Sequence, residues 1–195
     1  MFQFTNLANL YHNETRGDFS IDVFEICDGD VMAMVEGIPK GRYVRLLDKR
    51  GCVMSTTPME MRTNMGFLWN AHGDVLIGGL GIGMIILAAQ ERQDVKSITV
   101  IEKFQDCIDL VTSQVPFNEK VKIICADVFD WKPDGGQKFD CIYMDVWSYV
   151  NSDVYKEMCH LTRRYGKFLK PKEESPNRYN DCWAKWYAKN NRPPR

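Results

Sequence analysis

The run Asp74-Val75-Leu76-Ile77-Gly78-Gly79-Leu80-Gly81-Ile82-Gly83-Met84-Ile85-Ile86-Leu87-Ala88-Ala89 restricts the choice of fold more than any other stretch of the chain. It joins a short apolar run, a cluster of glycines and a second apolar run. Val75 to Ile77 suits a central parallel strand, which is buried on both faces and shows no alternation. The glycines remove side chains where the chain turns sharply, and they let a ligand approach the backbone. Met84 to Ala89 then opens a helix whose first N–H groups have no partner within the helix. Such a terminus receives a polar ligand group. Strand, glycine turn and helix in this order predict an α/β sheet with a nucleotide-type cofactor at the carboxyl end of the strand.

The glycine spacing narrows the choice of cofactor. The dinucleotide fingerprint is G-x-G-x-x-G. From Gly79 the chain reads Gly-Leu-Gly-Ile-Gly-Met, so the third glycine comes one residue early. That counts against a nicotinamide dinucleotide. No Lys-Ser or Lys-Thr follows the glycines, which excludes a P-loop.

Three further apolar runs end in carboxylates. Val95 to Ile101 ends at Glu102, about twenty residues beyond the glycines, where a carboxylate can accept both hydroxyls of a ribose. The alternative is a solvated Glu beside Lys103. Val121 to Ala126 is followed by Asp127 and Val128. Asp127 can take the exocyclic amine of an adenine, or it can cap a turn. Phe129 or Trp131 can cover the base; otherwise Trp131 fills the edge of the core. Phe139 to Met144 ends at Asp145, followed by Val146-Trp147-Ser148-Tyr149. Ligands of an open α/β sheet sit outside the carboxyl ends of its strands. The glycines, Glu102, Asp127 and Asp145 therefore describe one candidate site.

The pieces VLIGGLGIG, ITVIE, ICADVFDW and FDCIYMDVW resemble, in order and spacing, the cofactor half of the class I S-adenosylmethionine (SAM)-dependent methyltransferases. The resemblance covers residues 74–147. It implies a Rossmann-like sheet in which Gly79, Gly81 and Gly83 flank the methionine part of SAM. It further implies that Glu102 binds the ribose, that Asp127 and Val128 hold the adenine, and that Asp145 faces the sulfonium. Upstream, Leu47 to Met61 (LDKRGCVMSTTPMEM) is similar to the segment before the core of spermidine synthases. The whole chain resembles short, spermidine-synthase-like proteins of methyltransferase type, of the kind found in phages.

In the synthases the fourth strand ends in two aspartates, the first a catalytic base. Asp145 matches the first, but Ser148 stands at the second. Ile82 stands where those enzymes carry an aspartate among the glycines. These departures weigh against aminopropyl transfer from decarboxylated SAM and leave SAM binding untouched. Asp145 is the candidate base and Tyr149 a candidate hydrogen-bond partner of the acceptor. Trp147 is either a wall beside the sulfonium or a packing residue. Asn/Asp-Pro-Pro-Tyr/Phe is absent at 145–148, so methylation of adenine N6 or cytosine N4 is not supported. Three readings stand: a methyltransferase of a small molecule or a protein, an aminopropyltransferase, and a SAM-binding module without catalysis.

At 195 residues the chain fits one domain with a small appendage. The expected divisions are an arm and antiparallel β-meander over 1–56, a Rossmann-like core over 57–165 and a basic helical tail over 166–195. Residues 1–17 read as a short helix or an irregular arm. Meander strands are expected at Ser20–Cys27, Val31–Glu36, Tyr43–Leu47 and Cys52–Met54. Asp28-Gly29-Asp30 and Asp48-Lys49-Arg50-Gly51 read as turns. Thr57-Pro58 starts a helix, and Glu60 completes a capping-box pattern. The synthase resemblance implies a substrate contact for Glu60 instead. Core helices are expected near 82–92, 104–114 and 151–163, with a last one near Tyr179–Lys189. No fifth strand is legible after Met144, so the sheet reads as truncated after its fourth strand. The meander then extends or covers an exposed edge, an arrangement compatible with a homodimer.

A formal charge of −1 gives no basis for a general nucleic-acid surface. From Arg163 onward Lys and Arg dominate; such a stretch meets an acidic substrate or solvates a tail helix. The seven cysteines form no C-x-x-C pair, and His12, His72 and His160 are scattered. This pattern indicates no zinc site and suits a reducing, cytoplasmic compartment. The stretch 75–89 is too short and too rich in glycine for a membrane span. Met1 to Tyr11 lacks the basic start and apolar run of a secretory leader. The expected partner is a small-molecule acceptor.

Overall fold

The computed structural model describes residues 6–194. The first five residues of the expected arm, and Arg195 at the end of the expected tail, lie outside them. Two sheets share one core. The first is antiparallel, in the order β1 (Glu14–Arg16), β2 (Phe19–Ile26), β3 (Gly41–Asp48), β4 (Gly51–Ser55). Its inward face is set by period-two burial: Phe19 and Ile21 on β2, Val44 and Leu46 on β3. The expected turn at 48–51 joins β3 to β4, with the Arg50 N–H donating to Asp48 Oδ1 at 2.7 Å. The expected arm holds a single 3-10 turn at Leu7–Asn9, then the edge strand β1.

Residues Val31–Glu36, expected as a strand, form helix α1 (Val31–Glu36). Asp30 does not close a hairpin. Its Oδ1 accepts the Ala33 N–H at 3.0 Å, and Gly37 (φ 66°) ends the helix in the left-handed conformation. Caps at both ends fix the helix, and a β-propensity in two valines does not overcome them. Only Ala33 turns inward; Val31, Met32, Met34 and Val35 are exposed.

The second sheet is parallel throughout. It contains β5 (Gly73–Gly78), β6 (Val95–Glu102), β7 (Val121–Cys125), β8 (Cys141–Met144) and β9 (Tyr179–Cys182), in the order β7-β6-β5-β8-β9. Helices α2 (Pro58–Asn70), α3 (Met84–Gln90), α4 (Gln105–Thr112), α5 (Ser152–Gly166) and α6 (Lys185–Lys189) complete the chain. Val75, Leu76 and Ile77 are wholly buried, as a central strand requires. The strand order reverses between β5 and β8, which opens a crevice at their carboxyl ends. Helix α4 packs against β1 and β2, and so joins the two sheets.

The sheet does not stop at its fourth strand. Tyr179–Cys182, expected within a terminal helix, is the fifth strand, and the last helix is confined to Lys185–Lys189. The strand lies at the sheet's edge, and only Cys182 is buried in it. An edge strand of this kind has no apolar run to betray it.

Half-buried basic residues beyond Arg163 bond back to the body of the protein. Arg164 donates to the carbonyls of Asp130 and Trp131, and Arg178 to that of Lys170. Lys170 Nζ lies 2.7 Å from both Asp74 Oδ2 and Asp140 Oδ2. No described helix is long and apolar enough to cross a membrane.

Candidate active site

The crevice between the tips of β5 and β8 is a cavity of about 290 Å³, roofed by the β3–β4 hairpin. Gly79, Gly81, Glu102, Asp127, Val128, Asp145 and Trp147 line it. The structure thus brings together most of the residues selected from the sequence. Glu60, Gly83 and Tyr149 are not among the lining residues. An added Cβ at Gly83 would meet the Phe117 ring, so this glycine serves packing at the start of α3. Tyr149 is 60% exposed.

The glycine loop is shaped by close approach. Gly79 (φ 97°) passes so near the tip of β8 that a Cβ would run into the Asp145 carbonyl oxygen. The Asp145 N–H donates to Gly78 O at 2.7 Å, and the Gly79 N–H to Ile101 O at 2.8 Å. At Gly81 (φ 52°) a Cβ would run into Met54 Sδ. Met54 projects from β4, and its sulfur accepts the Ile82 N–H at 3.3 Å. A side chain of the first sheet thus lies on the glycine loop of the second.

Glu102 ends β6 and is buried. Its Oε2 accepts the Leu80 N–H and its Oε1 the Phe104 N–H, each at 3.0 Å. Each oxygen keeps a further lone pair for a ligand hydroxyl. Asp127 accepts the Phe129 N–H at 2.9 Å and pairs with Lys103 Nζ at 2.9 Å. Lys103 first, and then the Phe129 amide, hold its carboxyl below the usual carboxylate range. Phe129 lines the cavity. Trp131 does not: it stacks on Tyr165, ring centroids 6.5 Å apart, at the edge of the core. The Tyr165 hydroxyl donates to Val128 O at 2.7 Å and fixes this loop.

Asp145 presents a different picture. Among the described residues its carboxylate has no hydrogen bond and no ion pair. Burial, and then the charge of Glu60, push its proton affinity well above the ordinary value. Glu60 stands in the first turn of α2 and is 7% exposed. Burial raises it from 4.5 to about 7, and the Ser55 amide draws it back only in part. The capping box does not form: the Thr57 hydroxyl shares a 3.0 Å hydrogen bond with Ser55 Oγ instead. Trp147 is anchored by donation from Nε1 to Glu157 Oε2 at 2.8 Å.

The sequence reading missed the roof. Phe19, Leu46, Arg50, Val53 and Met54 line the cavity from the first sheet. The 48–51 turn was the only local signal near them, and it says nothing about what the hairpin covers.

No protein-family model matches the chain, and no curated protein matches it. Solved structures similar to it include several methyltransferases. One is the N-methyltransferase NodS from Bradyrhizobium japonicum, in complex with S-adenosyl-L-homocysteine (SAH), at 16% identity over 58% of each chain with a TM-score of 0.46. Another is a putative caffeoyl-CoA O-methyltransferase from Staphylococcus aureus, at 17% identity, covering 71% of this chain and 58% of that one, TM-score 0.43. A third is the CcbJ methyltransferase from Streptomyces caelestis, at 16% identity over 58% of this chain and 46% of that one, TM-score 0.46. Each match spans less than two thirds of the other chain.

Proposed function

We propose that the chain is a SAM-dependent methyltransferase acting on a small-molecule acceptor. The observation that carries the reading is the convergence of Gly79, Gly81, Glu102, Asp127 and Asp145 on one cavity at the reversal of strand order. The donor set fits the cofactor. Glu102 has lone pairs for a ribose diol, Asp127 a carboxylate for an adenine amine, and Val128 and Phe129 apolar surface for the base. A Cβ at Gly79 would meet the Asp145 carbonyl and one at Gly81 the Met54 sulfur, so the glycines let the loop pack tightly between β8 and β4 at the mouth of the cavity. The volume lies at the low end of ligand cavities, about 300–1,000 Å³, and withdrawal of Met54 would enlarge it.

SAM, when bound, supplies an activated methyl group. The chain's own residues orient, shield and accept a proton. Trp147 is fixed by Glu157 and excludes water from one side of the cavity. Asp145 is unpartnered and has a raised proton affinity, which suits it to take a proton from the acceptor. Holding the reacting groups in line is worth up to roughly 7–11 kcal/mol.

The test is calorimetric titration with SAM, decarboxylated SAM, SAH and NAD in parallel. Preference for SAM and SAH supports the reading. Preference for decarboxylated SAM would replace methyl by aminopropyl transfer, and binding of none of them would overturn the assignment.

A further inference from the structure

Helix α1 carries its apolar residues outward. Successive residues of an α-helix are about 100° apart, so Val31, Met32, Met34 and Val35 fall within one arc of about 160°, opposite Ala33. These four side chains are 69–79% exposed. A single apolar side chain on a surface is ordinary, whereas a contiguous patch marks an interaction site. Beside the helix runs a groove of about 690 Å³ that shares no lining residue with the candidate active site. Val35, Glu36 and Ile38 line it from α1 and the turn after it, and Pro58, Met59 and Arg62 from the start of α2. Glu36 and Arg62 are both exposed. Among the described residues, neither forms an ion pair with the other or with any third residue.

We infer that patch and groove are the two halves of an interface with a second copy of this chain, α1 of each protomer seated in the groove of the other. Charge complementarity selects this occupant. A twofold interface is isologous, so a contact between two different residues occurs twice. Seating α1 in the facing groove sets Glu36 of one protomer against Arg62 of the other, and symmetry repeats the pair. Each chain's free carboxylate and free guanidinium thus find partners, and neither is left over. Val31, Met32, Met34 and Val35 form the apolar centre of the contact, and the two ion pairs form its rim, as in other protein interfaces. An anionic lipid surface fits the patch less well. Asp28, Asp30 and Glu36 flank the helix, and Lys40, beyond it, is held by Asp28 at 3.1 Å.

The experiment is sedimentation velocity of the full chain over a concentration series from micromolar to several hundred micromolar. We expect a dimer that grows with concentration. Amide hydrogen exchange of residues 31–36 should slow as the dimer forms, a reading that needs no variant. Val35→Glu places a charge in the apolar centre and should weaken association roughly tenfold. Glu36→Arg and Arg62→Glu each set like charges against one another and should each weaken it roughly fivefold. An equal mixture of these two variants should dimerise again, because in the mixed pair every Arg meets a Glu. An unfolded variant could not be rescued in this way. A monomer at every concentration would overturn the inference, whether the patch then binds phosphatidylserine vesicles or nothing. A dimer that leaves exchange of residues 31–36 unchanged would overturn it too, as would a mixture that stays monomeric while both variants are folded.

Discussion

Glu102 and Asp145 are both carboxylates at strand tips, and their surroundings assign them different work. Glu102 is bound by two backbone amides, so it holds the glycine loop to β6 as well as facing the cavity. Glu102→Ala leaves the Leu80 and Phe104 N–H groups without their acceptor, at about 1–3 kcal/mol each. We expect urea denaturation to show a loss of roughly 2–5 kcal/mol, with Glu102→Gln, which keeps an acceptor oxygen, losing clearly less. The position of Glu102 was legible, because an apolar run ends there. Its bond to Leu80 was not, because the partner lies 22 residues away and depends on how two strands pair. Glu60 offers a second test at this scale. Its folded value, about 7, exceeds its ordinary 4.5. The folded state therefore binds the proton more tightly, and stability is highest below the unfolded value and falls as pH rises through about 7. We expect unfolding free energy to decline between pH 5 and pH 8, on the order of 1–3 kcal/mol, and Glu60→Gln to remove most of that decline.

Among the elements, β4 matters through a single side chain. Met54 occupies the space beside Gly81 and engages the Ile82 amide. Met54→Ala should free both, so that calorimetry reads SAH binding several-fold tighter. The same substitution removes apolar packing, and denaturation should show a loss of about 1–3 kcal/mol, below the range for a fully buried Met→Ala. Affinity unchanged or weakened would mean that the methionine part of the cofactor does not lie on this loop. The elements differed in how well they could be read. Strands β5, β6 and β8 are apolar because both faces are covered, so they stood out. Helix α1 did not, because its identity rests on the Asp30 cap and on Gly37 and not on its own residues. Strand β9 did not either, since Tyr179, Asn180 and Asp181 sit at an edge where polar side chains are tolerated.

At the scale of the molecule, the end of the parallel sheet opposite the cavity is fastened by Lys170, which bridges Asp74 of β5 and Asp140 just before β8. Burial pushes both carboxyls up. The bonds to Lys170, with help from Ser97 at Asp74 and from the Asp74 amide at Asp140, outweigh it and leave both below the ordinary range. This contribution is present above the unfolded carboxyl value and is lost as pH falls through the folded one. Lys170→Met should lower stability at pH 7 by about 2 kcal/mol, and the gap to wild type should narrow in acid-unfolding curves below pH 4. The cavity at the other end has its floor in one sheet and its roof in the other. A molecule inside it works as a rivet: the N-terminal sheet cannot lift away without first releasing its cargo. Saturating SAH should therefore slow amide hydrogen exchange along β3 and β4, strands whose own ladder the ligand does not join. The grip on the small molecule and the cohesion of the two halves would then be one quantity seen from two sides.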